Sequence, residues 1–283
     1  MIFENSILAE HLFADLSYKE YISEHSIDKL VGINLDDYGD VEKKIIRDTF
    51  YSVSPNLETA YTPEMDDLCR LHYLINTRKV TTILEFGIGK STIVFDDAIR
   101  KNKDNYYLEL QGLRRSNLFE CHSVDNYKKW IDEVKSKSNT QNVHYHFSKL
   151  DMGTFNGRIC TFYQNMPNIC PDFIYLDGPD QFSPEGDIRG ITTNHPDRLP
   201  MAADLLSIEH FLLPGTLIVT DGRTANARFL KSNFQRNWIY CHDVNADQHY
   251  FELSEIPLGI YNKKQIELCL GEKYFTRLNQ TKN

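Results

Sequence analysis

The chain has 283 residues, with 31 Lys and Arg against 40 Asp and Glu, so its formal net charge is −9. Hydrophobic residues make up 41% of the chain and charged residues 25%, which is typical of a globular protein. Proteins that bind nucleic acid usually carry a basic surface, so this acidic balance predicts no nucleic-acid partner.

No apolar run approaches the roughly 18 residues that a membrane-spanning helix needs, so we predict no membrane span. The first residues lack the positive region and cleavage site of a signal peptide. The six cysteines are scattered without a Cys-x-x-Cys pair, which is typical of a reducing compartment and indicates no structural zinc. We therefore expect a cytoplasmic protein.

Negative charge is concentrated at the start of the chain. Residues 1–60 contain 12 Asp or Glu and 5 Lys or Arg, a net charge of −7. Leu8, Leu12 and Leu16 recur at helical spacing, and no run in this stretch is typical of a buried strand. We predict that residues 1–60 form an acidic helical extension, a candidate lid or homodimer contact, and that residues 61–283 form the main domain.

After the extension, strand patterns alternate with helical patterns. The predicted strands are short runs rich in β-branched and aromatic residues, at 81–86, 119–124, 143–147, 172–176, 216–220, 239–244 and 249–253. Because strands that alternate with helices pair in parallel, the prediction is an α/β fold with a doubly wound, mostly parallel, seven-stranded Rossmann-like sheet. Residues 179–200 form a long insertion after the fourth strand, and 201–213 is predicted to be a helix.

A glycine-rich turn, EFGIGKST at 85–92, follows the first strand, where open α/β sheets bind ligands. A phosphate-binding loop would match GKS at 89–91, but Leu84 occupies the place of its first glycine and Glu85 would repel a polyphosphate. A nicotinamide dinucleotide would need a glycine at Thr92 and an acid about 20 residues on, whereas Asp125 lies 36 residues beyond Gly89. A tight turn without a ligand is a further interpretation.

Glu85, two residues before Gly87, resembles the acid of motif I in class I S-adenosylmethionine-dependent methyltransferases. The resemblance continues through SVDN at 123–126, FIYLDGP at 173–179 and LIVTDG at 217–222. It implies S-adenosylmethionine as cofactor and a set of residues that bind it: Glu85, Phe86, Gly87, Gly89, Ser91, Asp125, Asn126 and Asp151.

This cofactor carries a sulfonium, an amino-acid tail and a ribose, but no phosphate. Glu85 can therefore orient the ammonium of the tail without meeting a polyanion. Asp125 can accept two charge-assisted hydrogen bonds from the ribose hydroxyls. Asp151 follows the third strand, where the family contacts adenine.

The acceptor side of the reaction depends on the loops after strands four and five. Methyl transfer is an in-line displacement in which the enzyme aligns the acceptor and removes its proton, and Asp177 and His195 are candidate catalytic groups. Asp180, Arg189 and Arg223 are candidate acceptor-binding residues. Asp177 and Asp221 also resemble the Mg²⁺ ligands of catechol-type O-methyltransferases, although Gly222 stands where that family has Asn.

The turns at 81–92 and 177–179 also resemble those of bacterial, polysaccharide-associated O-methyltransferases of the macrocin type. This resemblance implies O-methylation of a sugar, a sugar phosphate or another small or glycan-linked acceptor. Two alternatives stay open: a catalytically silent, methyltransferase-like scaffold module, and a nucleotide-binding enzyme of the phosphate-loop kind.

Overall fold

The computed structural model describes residues 2–5, 8–33 and 64–280 of the chain. The domain boundary that we predict after residue 60 lies outside these residues. The strands are β1 (Phe3–Glu4), β2 (Thr82–Phe86), β3 (Glu120–Asp125), β4 (Val143–Phe147), β5 (Leu150–Phe155), β6 (Arg158–Tyr163), β7 (Phe173–Leu176), β8 (Leu217–Asp221), β9 (Trp238–Asp243) and β10 (Gln248–Leu253). The helices are α1 (Leu8–Leu12), α2 (Tyr18–His25), α3 (Ile27–Val31), α4 (Met65–Thr77), α5 (Lys90–Leu110), α6 (Lys128–Lys137), α7 (Asp204–Ile208), α8 (Thr224–Asn233), α9 (Gly259–Cys269) and α10 (Glu272–Gln280).

The main sheet has the order β1-β9-β10-β8-β7-β2-β3-β4. Its central strands pair in parallel, and β10 runs antiparallel to both β8 and β9. The doubly wound α/β prediction is therefore confirmed, with all seven predicted strands placed within one residue. Strand order reverses between β2 and β7, and such a switch point is where open α/β sheets bind ligands.

No run in residues 1–60 is typical of a buried strand, but the short strand β1 of this stretch adds an eighth strand to the main sheet. Phe3 and Glu4 lie opposite Ile239 and Tyr240 and pair with β9 in parallel. A two-residue strand is too short to show an alternating pattern in the sequence.

Alternate side chains of the central strands enter two hydrophobic layers. One face packs against helices α1, α4, α5 and α9, and the other against α7, α8 and the β5–β6 hairpin. This alternation is visible at Ile83 and Leu84 of β2, both fully buried but in different layers. Both faces are covered, as a parallel sheet requires.

In the described part of the N-terminal extension, the helices α1, α2 and α3 pack closely against the sheet domain. Leu8 of α1 is completely buried in the first layer. Ile22, Ile27 and Val31 pack against residues of α4 and α5 such as Val94. These helices therefore belong to the same packed body as the sheet. Their role as a lid or homodimer contact stays a prediction.

The hairpin of β5 and β6 was not predicted. Its turn is Asn156-Gly157, with φ of 48° and 76°, and Asn-Gly is a strong signal for a two-residue hairpin turn. The predicted helix at 201–213 is also shorter than expected, with α7 followed by a 3₁₀ turn at Glu209–Phe211. Its first residues pair with the hairpin instead, because Ala202 bridges Thr161 and is held by the Asn226 side chain.

Residues 179–200 form an irregular segment against the hairpin. Glu185 forms a bridge with Asp151, and its backbone N–H donates to the carbonyl of Leu150. Among the helices of the described residues, none combines the length and apolarity needed to cross a bilayer.

Candidate functional site

Four strand ends form a row at the carboxyl edge of the sheet. Phe86 of β2 lies opposite Val124 of β3 and Leu176 of β7, and Leu176 lies opposite Thr220 of β8. The residues that follow these positions therefore stand side by side, about 4.8 Å apart from strand to strand. They are, in order across the sheet, Asp125, Gly87, Asp177 and Asp221.

Gly87 is required by the fold itself. Its φ is 95°, and a Cβ at this position would lie 2.7 Å from the backbone nitrogen of Gly178, in the turn after β7. Gly89 is different, because a Cβ there would meet only Ser91 Oγ at 4.0 Å. The open space beside the turn therefore lies at Gly89 and not at Gly87.

The backbone N–H groups of the glycine turn already have partners within the protein. Gly87 donates to the Val124 carbonyl (2.9 Å), Ile88 N donates to Asp125 Oδ2 (2.8 Å), and Gly89 N donates to Thr92 Oγ1 (3.1 Å). A phosphate-binding loop needs such N–H groups free to surround the phosphate oxygens.

Lys90 points away from the position that a phosphate-loop lysine takes. Its Nζ donates to the carbonyl of Val31 at the end of α3 (2.6 Å). The lysine thus ties the N-terminal helices to the start of α5. This contact and the hydrogen-bonded N–H groups of the glycine turn both count against the binding of a nucleoside triphosphate.

Glu85 is completely buried below the turn and binds three hydroxyl groups. Ser91 Oγ donates to Oε1 (2.6 Å), while Thr92 Oγ1 (2.7 Å) and Ser123 Oγ (2.5 Å) donate to Oε2. Burial raises the pKa of Glu85 to about 7, against the lowering effect of the three hydroxyls. This carboxyl group joins β2, β3 and α5 and so shapes the turn from below.

Asp125 forms one wall of the turn. Its Oδ1 accepts a hydrogen bond from Tyr127 N (2.7 Å), and its Oδ2 accepts the one from Ile88. Burial raises the pKa of Asp125 to about 6, although these backbone N–H groups lower it. Asn126, the next residue, is half-buried at the same strand end.

Asp177 and Arg223 form a pair of opposite charge beside the switch point. Arg223 Nε lies 4.0 Å from Asp177 Oδ1, and Arg223 Nη2 donates to the carbonyl of Pro179 (2.6 Å). Desolvation at the strand ends raises the pKa of Asp177, as does the neighbouring Asp221, while Arg223 lowers it. The Asp177 side chain remains 52% accessible, so solvent limits the size of this effect.

The side chain of Arg223 is nine-tenths buried. Its Nη1 has no hydrogen-bond partner among the described residues. Asp221, next to Asp177 in the row of strand ends, accepts a hydrogen bond at Oδ2 from the Tyr175 hydroxyl (2.8 Å). A buried cationic donor therefore stands next to a carboxylate with a raised pKa.

Tyr163, at the end of β6, is a site residue that the sequence did not indicate. Its ring stacks on Phe86, with 5.8 Å between ring centroids, and its buried hydroxyl has no partner within 2–5, 8–33 and 64–280. The charges of Asp125, Asp180 and Arg223 all act on this hydroxyl. The Asn156-Gly157 turn could have revealed the hairpin, but not where Tyr163 would lie.

The remaining predicted site residues are distributed more widely. Asp180 accepts hydrogen bonds from Phe182 N (2.6 Å) and the Ser183 hydroxyl, and its charge helps to raise the pKa of Asp125. His195 is exposed, and its Nδ1 accepts a hydrogen bond from Asp197 N (3.1 Å). Arg189 is exposed in a turn, with φ of 59°.

Asp151 follows the third predicted strand, as expected, and its role as an adenine contact stays a prediction. Asp151 lies inside strand β5 of the hairpin, opposite Phe162, and not at the end of a strand of the main sheet. Its Oδ1 accepts a hydrogen bond from Gln164 Nε2 (2.9 Å). The segment directly after β4 instead begins at Ser148, whose backbone N–H donates to the Asp125 carbonyl (3.0 Å).

The fold is a Rossmann-like α/β domain. No protein-family model matches the chain, and no curated protein matches it in sequence. Solved structures that resemble it include the methyltransferase PaMTH1 of Podospora anserina, bound to S-adenosylhomocysteine, at 12% identity and a TM-score of 0.40 over 69% of this chain and 80% of that one.

The O-methyltransferase TomG of Streptomyces achromogenes, in complex with S-adenosylmethionine, gives 14% identity and a TM-score of 0.36 over 68% of this chain and 81% of that one. Coclaurine N-methyltransferase, bound to N-methylheliamine and S-adenosylhomocysteine, gives 14% identity and a TM-score of 0.27 over 75% of this chain and 54% of that one. Similarities this weak do not assign an activity to this chain.

Proposed function

We propose that the protein is an S-adenosylmethionine-dependent methyltransferase that acts on a hydroxyl group of a small polar acceptor. The observation that carries the proposal is the hydrogen bond from Ile88 N to Asp125 Oδ2. It places a carboxylate at the wall of the glycine turn and uses a backbone N–H that a phosphate would require. The site therefore favours a ligand with hydroxyls and positive charge over a polyphosphate.

The residues around the turn fit the parts of this cofactor. Gly89 leaves space beside the turn, which a side chain would fill. Each oxygen of Asp125 accepts one described backbone hydrogen bond and has capacity for a second, so the carboxylate can also accept the two ribose hydroxyls. Glu85 is occupied by three hydroxyls, so we propose that it acts by holding Ser91 and the turn in place.

When bound, S-adenosylmethionine supplies an activated methyl carbon for in-line displacement. We propose that Asp177 accepts the proton of the attacking hydroxyl, since its pKa is raised toward neutral pH and its side chain is half accessible. Arg223 orients the Asp177 carboxylate from 4.0 Å. His195 is the second candidate base, on the exposed loop.

The acceptor class follows from Arg223. Its buried Nη1 is without a described partner and can donate to an oxygen of the acceptor. A guanidinium binds phosphate and carboxylate oxygens well, so a sugar phosphate or another anionic sugar derivative suits this position. Asp180 and Arg189 are the further acceptor-binding candidates, and a glycan-linked acceptor would extend toward residues 179–200.

Magnesium fits this pair of acids poorly. Tyr175 donates to Asp221, and the guanidinium of Arg223 already lies beside Asp177 as its positive neighbour. Mg²⁺ usually binds through one or two carboxylates and several waters, so it is the partners of these acids, and not their number, that count against it. We therefore derive no step through a metal, and turnover that persists in the presence of a chelator would agree with this assignment.

Ligand binding by the purified full chain tests the proposal. Calorimetric titration with S-adenosylmethionine, ATP and NAD should give saturable binding of the first ligand alone. Mass-spectrometric detection of S-adenosylhomocysteine and of a methylated product with sugar phosphates then tests turnover. Binding of ATP in place of S-adenosylmethionine would contradict the proposal, and cofactor binding without turnover on any acceptor would favour the silent module.

A further inference from the structure

A cluster of three histidines and one glutamate lies on the two outermost parallel strands, apart from the candidate active site. His122 of β3 is opposite His144 of β4, and Val124 is opposite His146. Since registered side chains in parallel strands share a face, His122, His144 and His146 stand together, with Glu120 two residues before His122. The helix α6 packs on the opposite face, where its Ile131 lies in one apolar cluster with Tyr145 of β4, and His144 is exposed to solvent on the histidine face.

The distances within the cluster suit a metal ion. Glu120 Oε2 lies 3.0 Å from His122 Nε2 and 3.6 Å from His144 Nε2, and all three atoms lie within 4.8 Å of one another. In a tetrahedral site with bonds of 2.0 to 2.1 Å, ligand atoms are about 3.4 Å apart. The two distances from Glu120 thus come close to the spacing between ligand atoms of one coordination sphere.

Outer partners orient two of these three groups. Asn117 Nδ2 donates to Glu120 Oε2 (2.8 Å), and His122 Nδ1 lies 3.1 Å from His146 Nε2. If His122 binds through Nε2, its protonated Nδ1 donates to His146, which fixes the ring and its tautomer. Such outer-shell hydrogen bonds are typical of metal-binding histidines.

We propose that Glu120, His122 and His144 bind one divalent transition-metal ion of the Zn²⁺ class, with His146 as the positioning residue of His122. Imidazole nitrogens with one carboxylate favour Zn²⁺, Co²⁺ or Ni²⁺ over Mg²⁺ and Ca²⁺, which take oxygen ligands. The scattered cysteines predicted no structural zinc, but these histidines are a separate set of donors.

The accessibility and charge of the cluster agree with this assignment. The His122 side chain is only 8% accessible, while that of His144 is 52% accessible, so an ion can enter from solvent and reach a buried ligand. Glu120, the one carboxylate of the cluster, supplies negative charge for the cation. The ion would link the edge strand β4 to the neighbouring strand β3. His122 lies three residues before Asp125 on β3, a distance of about 10 Å along the strand, so the ion would lie away from the proposed cofactor.

Metal titration of the full chain tests the site without any measurement of activity. Isothermal titration with Zn²⁺, and visible absorption with Co²⁺, should show one saturable site per chain. The first variant is His144→Ala, because an exposed edge-strand residue can be replaced without disturbing the core. The matched control is His210→Ala, an exposed histidine in the 3₁₀ turn far along the chain.

Loss of an outer-shell partner typically weakens metal binding by 10- to 100-fold. We expect His144→Ala, which removes a ligand, to weaken Zn²⁺ binding by more than this. His210→Ala should leave the Zn²⁺ affinity unchanged. His146→Ala should fall in that 10- to 100-fold range and should shift the Co²⁺ spectrum while keeping one site per chain. Absence of a saturable site in the wild-type chain, or equal affinity in wild type and His144→Ala, would overturn the proposal. An unchanged affinity in His146→Ala would remove the positioning role of that residue.

Discussion

Asp125 Oδ2 accepts a hydrogen bond from the backbone N–H of Ile88 across 2.8 Å, which joins the end of β3 to the glycine turn after β2. This contact places a carboxylate where a phosphate-binding loop would present free N–H groups. It therefore decides between ligand classes that share a glycine-rich turn. The proposed activity can be tested at this residue first.

Asp125→Ala should weaken S-adenosylmethionine binding by at least 10- to 100-fold, because one hydrogen bond to a charged group contributes about 1.5 to 3 kcal/mol. Isothermal titration measures the change. Asp243→Ala is the matched control, since Asp243 also ends a strand and accepts two backbone hydrogen bonds, from Asn245 and Ala246, but on β9. Equal losses in both variants would point to a general effect on folding.

The two glycines of the turn should respond differently to substitution. Gly87→Ala places a Cβ against Gly178 at a positive φ, so we expect about 1 to 3 kcal/mol of lost unfolding free energy. In Gly89→Leu the Cβ would meet only Ser91 Oγ, at 4.0 Å, so we expect the thermal midpoint to stay nearly unchanged while the longer side chain blocks the cofactor. Thermal unfolding and calorimetric titration separate the two effects. Full cofactor affinity in Gly89→Leu would place the ligand elsewhere.

Asp177→Asn should lower the turnover number by 100-fold or more, which is the usual contribution of a general base, and should retain cofactor affinity within a few-fold. In the wild-type chain, turnover should rise with pH as Asp177 loses its proton, since only the ionised form accepts one. The raised pKa moves this rise above the range of an ordinary aspartate. His195→Ala tests the other candidate base, and loss of turnover there with full activity in Asp177→Asn would reverse the assignment.

Arg223→Gln should raise the KM for an anionic acceptor by about 10- to 100-fold, because a charged hydrogen bond from the guanidinium is lost. The affinity for S-adenosylmethionine should stay the same. Steady-state kinetics with a sugar phosphate and with its uncharged parent sugar give the KM for each acceptor. A rise for the sugar phosphate alone indicates a lost charge contact, whereas a rise for both indicates a changed shape of the acceptor site. A KM that rises equally for both acceptors would contradict the anionic-acceptor proposal.

Glu85 should make the wild-type fold lose stability as pH rises. Burial raises its folded pKa from 4.5 to about 7, so the folded state holds a proton that the unfolded state releases. The stabilisation is full below about pH 4.5 and is lost as pH rises to about 7, a change of up to about 3 kcal/mol. Urea unfolding of wild type and Glu85→Gln across this range measures it, because the variant lacks the titration. If the difference in unfolding free energy between wild type and Glu85→Gln stays constant with pH, the proposal that buried Glu85 binds a proton in the folded state is contradicted.

Much of the sheet could be predicted because its signals are local. Some strands, such as Val143–Phe147, are runs in which apolar and polar residues alternate, and others are continuously apolar. Helical patterns between these runs indicate that the strands pair in parallel. Among the elements that were not predicted, the β5–β6 hairpin carries a strong local signal in its Asn156-Gly157 turn, whereas β1 and the residues around Ala202 depend on tertiary contacts. The two-residue β1 is held by β9, and the residues around Ala202 extend along the hairpin because Asn226 binds both their N–H and carbonyl groups.

The sequence by itself determined the α/β architecture and the position of polar residues at strand ends, because periodicity and strand boundaries are properties of short segments. Only the tertiary structure decided what those residues touch. Glu85 was expected to face a ligand but binds three hydroxyls beneath the turn, and Lys90 points to Val31 instead of a phosphate. The register of β3 against β4 likewise brings together histidines more than 20 residues apart. Contacts of this kind depend on strand pairing and side-chain packing across the whole domain, which no local pattern contains.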